Sequence, residues 1–206
     1  MGFGVLLIGT FFFLNTVVPV YTIPVSAIVC LFGLRKLRVW NSGFSGAFRV
    51  DLVLIVYGLA SAGLAIANAA GATIPDLLSA AVSAGLCLLV LLFHFYLGSG
   101  MISLANEVRL PKLAGRAFFF RTIACLYWLL YAFLNLDLGE KLDPIVARMF
   151  IPMVVVGFVV AIIGFAVLFS FYTDIGLPDE GKETEKPGFF ARMKQKSQEE
   201  ERKHDD

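Results

Sequence analysis

Residues 77–106 read LLSAAVSAGLCLLVLLFHFYLGSGMISLAN, thirty positions without a single Asp, Glu, Lys or Arg. An α-helix rises ~1.5 Å per residue, so ~20 apolar residues suffice to cross a hydrocarbon core ~30 Å thick. Four other intervals are equally free of charge: Gly2 to Leu34, Leu52 to Pro75, Thr122 to Leu136 and Met149 to Thr173. Together they predict an all-α, polytopic helical membrane protein.

Composition agrees. Of 206 residues, 58% are hydrophobic and only 16% charged, and the mean hydropathy is +0.80. Soluble domains carry roughly 25% charged residues. So much chain is spent on membrane helices that no separate soluble catalytic domain fits. The expected organisation is a helical bundle over residues 1–173 and a charged tail over 174–206. A net charge of +1 gives no argument for nucleic acid. The expected surroundings are the lipid bilayer and, through helix contacts, another membrane protein or a second copy as a homo-oligomer.

Lys and Arg set the orientation. Arg35, Lys36, Arg38 and Arg49 fall in the first loop, and Arg109, Lys112, Arg116 and Arg121 in the third connection. Seven more lie in the tail. The alternate loops hold only Lys141 and Arg148, a split of 15 against 2. The first loop, third connection and tail are therefore expected to be cytoplasmic. Four full transmembrane helices are predicted, over about 52–72, 77–97, 118–138 and 146–172, with Gly98 and Gly100 weakening the end of the second. Phe118, Phe119, Phe120, Trp40, Tyr96 and Tyr172 fit an aromatic belt at the inner interface.

The N-terminal block is too long for one comfortable crossing, ~50 Å as a single helix. Pro19 and Pro24 interrupt it, each removing a backbone donor, with Asn15 and Thr16 beside the break. Two short helices are expected, about 3–17 and 23–40, spanning under tilt or forming a re-entrant hairpin packed against protein. The N-terminus would then be cytoplasmic. The alternative is one long kinked helix with an external N-terminus. Met1-Gly2-Phe3-Gly4 lacks the basic n-region of a cleavable signal, so the segment is expected to stay.

Gly2-Phe-Gly-Val-Leu-Leu-Ile-Gly9, then Phe11-Phe-Phe-Leu-Asn15 and Leu31-Phe-Gly-Leu-Arg-Lys-Leu37, resembles the start of a group of small polytopic membrane proteins of Gram-positive bacteria. The resemblance covers about the first 38 residues. It implies the two-helix reading and a bacterial plasma membrane. That group often has an acid after the mid-block proline, where this chain has Val25.

In residues 174–206 ten acids and seven bases mix with prolines and glycines, a composition that stays largely disordered. Phe189, Phe190 and Met193 beside Arg192, Lys194 and Lys196 suit either a solvated tail or a short amphipathic helix on the inner leaflet. Cys30, Cys87 and Cys125 are scattered through apolar stretches. No disulfide, metal site or cofactor is expected from them.

Small residues mark helix packing, because they let backbones approach where lipid removes any hydrophobic drive. Ala60, Gly63, Ala67 and Gly71 form one stripe, Ala80, Ala84 and Cys87 a second, and Gly157, Ala161 and Gly164 a third. Each is expected on an interior face, or on the face of a homo-oligomer. His94 continues the second stripe. An ionisable residue inside a bundle is a functional candidate, against the plainer role of a hydrogen-bonded interfacial His. Asp51, Glu107, Arg116 and Arg121 fall near the same depth and are expected to share a polar pocket with it, or simply to anchor helix ends. Asn15, Asn68 and Asn135 suit interhelical bonds or caps. No HExxH, G-x-S-x-G or nucleotide-loop pattern occurs, so no catalytic residue is assigned. The reading that follows is a non-enzymatic subunit, scaffold or regulator. A small transporter or channel lined by the broken N-terminal helices is the second. An enzyme acting on lipid phosphate around His94, Arg116 and Arg121 is the third.

Overall fold

The computed structural model describes residues 2–13, 19–134 and 143–175. They form α1 (Gly2–Phe13), α2 (Pro19–Trp40), α3 (Phe44–Ala69), α4 (Asp76–Glu107), α5 (Pro111–Leu134) and α6 (Asp143–Ile175), with no strand among the described residues. Four helices are long and apolar enough to cross a membrane: α3, α4, α5 and the Ile151–Ile175 part of α6. Their outward faces carry Val53, Val56, Leu59, Leu126, Leu130 and Phe158, all exposed, a surface suited to lipid rather than water. The chain is a multi-pass helical membrane protein. Asn15, Asn135, the turn between α1 and α2, Lys141 and residues 176–206 of the tail lie outside the described residues.

Each helix packs on the next in sequence, and α6 returns to α1, closing a ring. Phe3 at the start of α1 meets both Phe44 at 6.1 Å and Phe171 at 5.4 Å between ring centroids. The starts of α1, α3 and α5 therefore gather with the ends of α2, α4 and α6. This is the basic end, which holds Arg35, Lys36, Arg38, Arg49, Arg109 and Lys112.

The N-terminal block is a packed helix pair, not one kinked rod. At 12 residues, α1 reaches ~18 Å, short of a ~30 Å core. It lies tightly on α2, where the Ser26 hydroxyl donates to the Gly9 carbonyl at 2.5 Å. α2 is longer than expected, with 22 residues. Pro24 does not break it. The ring seats against Gly58 of α3, whose missing side chain leaves 3.3 Å to a would-be Cβ.

α4 likewise outruns its predicted end at Leu97 and continues to Glu107. Glycine costs ~1 kcal/mol in a helix interior, but here neighbours occupy the vacated space. Gly98 lies against Arg121, and Gly100 against Phe44 and the Gly43 backbone. α5 then begins at Pro111 rather than Phe118, proline being favoured at a first helical position. The third connection shrinks to a Schellman-type closure, with Leu110 N–H donating to the Ala105 carbonyl. Arg109, at φ 58°, occupies the left-handed position usually given to glycine. α3 ends the same way, with Gly71 at φ 93°.

The small-residue stripes divide. Gly157, Ala161 and Gly164 are buried on α6, where the Tyr127 and Phe120 rings of α5 fill the spaces over Gly157 and Gly164. Ala84 and Cys87 are buried on α4. The expected stripe on α3 is a correction: Gly63 has no atom within 4 Å of a would-be Cβ, Ala60 is exposed and Ala67 only half-buried. The buried face of α3 is Phe44, Ala47, Asp51, Leu54, Gly58 and Ser61. At ~100° per residue, Ala60, Gly63 and Ala67 point the opposite way. Small residues permit close approach without deciding that it happens.

Candidate functional site

Asp51 belongs to the buried stripe of α3, and Gly58, two turns along, carries Pro24 of α2 on the same side. The side chain is fully buried. Neither carboxyl oxygen has a hydrogen-bond partner among the described residues. Cys30 of α2 lies within electrostatic reach. Two hydroxyls of the α1–α2 seam are turned to backbone: Ser26 to Gly9, and Thr10 to the Leu6 carbonyl at 2.8 Å.

His94 is also buried, at 1% exposure. Its Nδ1 lies 2.9 Å from the Val90 carbonyl, a contact that requires Nδ1 to carry the proton and donate. The ring packs among Phe93, Phe120 and Trp128 at centroid distances of 5.5, 6.0 and 6.2 Å. Nearby, Tyr127 Oη and Trp128 Nε1 are buried without a hydrogen-bond partner among the described residues. Phe44 and Gly100 meet between α3 and α4. Asp51 and His94 each lie ~10 Å from that contact along their helices, hence at one depth. Asp51 is turned to α2 and His94 to α5.

The other three candidates lie elsewhere. Arg121, half-buried in the α4–α5 seam, donates through Nη1 to Ser99 Oγ at 3.1 Å. Its guanidinium lies over Phe95 and Phe118 at 5.2 and 5.1 Å, a cation–π arrangement on the lipid-facing side. Arg116 is exposed and donates to Ser170 Oγ of α6 at 3.3 Å. Glu107 is exposed as the last residue of α4. The five do not make one pocket, which corrects the expectation. Arg116 and Arg121 stand five residues apart, ~140° around α5, so they cannot share a face.

Sequence reasoning passed over two polar features. One is the α1–α2 seam, where Gly2, Leu6 and Gly9 face Ser26, Cys30, Gly33 and Leu37. The i, i+3/i+4, i+7 spacing was visible but lay in a block dominated by its prolines. The other is Asn41, buried at 4% exposure. It donates to Ser103 at 3.2 Å and accepts from the Gly43 N–H at 2.7 Å, tying the α2–α3 turn to α4. Asn68, by contrast, uses its backbone carbonyl to accept from Gly71 N–H at the end of α3.

Among the described residues, no three His, Cys, Asp or Glu side chains converge as metal ligands would. Comparison with protein-family models, with curated proteins and with solved structures finds no match.

Proposed function

We propose that this is a non-enzymatic protein of a bacterial plasma membrane, with both termini cytoplasmic, that acts through the outer face of α3 on another transmembrane helix. The observation carrying this reading is the Ala60–Gly63–Ala67 stripe, with Ala60 and Gly63 exposed and Ala67 half-buried on the side of α3 turned away from its buried face among the described residues. Small residues spaced by three and four are what close helix pairs in lipid use. A second copy of the chain is the occupant to test first. Gly63→Cys and Ala67→Cys should give disulfide-linked dimers in membranes, whereas Leu59→Cys, also exposed but ~40° or more aside, should not. Cys30 and Cys87 are buried and do not compete, and half-buried Cys125 is replaced by Ala in every variant. Equal cross-linking at all three positions, or none at any, overturns the assignment of this face.

A second reading, a small transporter or channel, is favoured by the buried hydroxyls of Thr10 and Ser26 in the α1–α2 seam. Purified protein in vesicles that passes neither ions nor protons under an imposed potential rejects it. The separation of His94, Arg116 and Arg121 gives no support to lipid-phosphate chemistry.

A further inference from the structure

We propose that Asp51 is a proton-binding site, its carboxyl held as a neutral acid inside the α2–α3 contact and exchanging with the basic side of the membrane only. An ionised carboxylate in apolar surroundings is costly unless paired or hydrogen-bonded, and Asp51 has neither kind of partner among the described residues. Something must compensate it.

The ionisable groups on the helices around it narrow the choice. α2 presents the Cys30 thiol, while Arg38, further along, is stacked 4.1 Å over Phe48. α4 carries His94, turned away to α5 and engaged with Val90 and its aromatic neighbours, and Tyr96, which packs on Gly46 instead. On α3 itself Arg49 points outward and is exposed. None of these bonds Asp51. A hard metal cation needs about six oxygen ligands, and among the described residues no group of three or more His, Cys, Asp or Glu side chains gathers at Asp51 to supply them. A proton needs one oxygen: an O–H bond forms on the carboxylate, the proton coming from water.

The site is one-sided by depth. Asp51 lies two residues beyond the exposed Arg49 and ~10 Å from the Phe44–Gly100 contact. The remaining 18 residues of α3 put the far end ~27 Å away. Exchange therefore follows the basic side, and the carboxyl reports the pH there. This needs neither reading of function given above.

Infrared difference spectroscopy on the full chain in lipid vesicles tests it. The parent should show the carbonyl stretch of a protonated carboxyl at neutral pH, downshifted in D2O and fading as the basic side is made alkaline. Asp51→Asn should lack the band, and Asp51→Glu should move it, which covers the case where the Asn variant does not fold. Two results overturn the proposal. In one, parent and variants have identical spectra in this region at every pH. In the other, the Asp51 carboxylate bands respond at fixed pH to Na+, K+ or Mg2+ instead, making the ligand a metal cation.

Discussion

Alanine at position 33 probes the α1–α2 seam directly. A Cβ there would sit 2.8 Å from the Gly2 carbonyl oxygen, 2.9 Å from Leu6 Cγ and 3.1 Å from the Leu6 nitrogen. Two of those atoms are backbone, so relief requires moving α1 rather than turning a side chain. Overpacking of this kind costs typically ~1–3 kcal/mol. Exchanging Gly for Ala in a helix interior returns ~1 kcal/mol. The clash wins, and Gly33→Ala should lose ~1 kcal/mol net. At Gly63, where no atom of its own chain lies within 4 Å among the described residues, only the propensity gain remains in the monomer, so Gly63→Ala should hold or gain up to ~1 kcal/mol at protein dilutions that leave the chain monomeric. Reversible unfolding in mixed micelles, followed by circular dichroism, measures both against the parent. A Gly33→Ala variant as stable as the parent, or a Gly63→Ala variant clearly weaker, would refute the reasoning about which glycines are packed.

Asn41→Ala removes the bonds to Ser103 and Gly43 and should cost ~1 kcal/mol in the same unfolding assay. His94→Leu should also lose stability, by ~1–2 kcal/mol, since it strips the bond to Val90 and three ring contacts; unchanged stability would contradict the packed position. Arg109→Gly relieves a left-handed residue and should gain ~1 kcal/mol, so a loss would mean that the arginine makes a contact worth more than the strain. Reporter fusions at Met1 and Asp206 should both read as cytoplasmic, and an external signal at either would contradict the orientation drawn from the basic residues.

Much of the fold was legible before any coordinates. Crossing a membrane depends on a sum over ~20 residues, and a sum survives local error, so the intervals around Leu52–Pro75, Leu77–Asn106 and Met149–Thr173 each declared a helix without ambiguity. Prolines and glycines were less legible. Pro24 and Gly98 carry a local penalty that the sequence shows, whereas the contacts offsetting it, Gly58 for one and Arg121 for the other, come from helices distant in the chain.

The candidate site was legible only as a set of residue types at similar depth. His94 stood out because ionisable groups are rare within apolar runs, whereas Asp51, one residue before the run from Leu52 to Pro75, read only as a polar neighbour at similar depth. That His94 turns to the aromatic rings of α5 while Asp51 turns to α2 depends on the rotation of each helix about its own axis. In water, the polar side of a helix announces that rotation. In lipid, the outward side is as apolar as the inward one, so the stripes at Gly63 and Gly164 look alike in sequence. The sequence by itself determined the class, the number of long spans and the gathering of positive charge toward one end. Only the tertiary structure decided which faces meet, because packing in an apolar solvent is settled by shape, and shape belongs to pairs of helices.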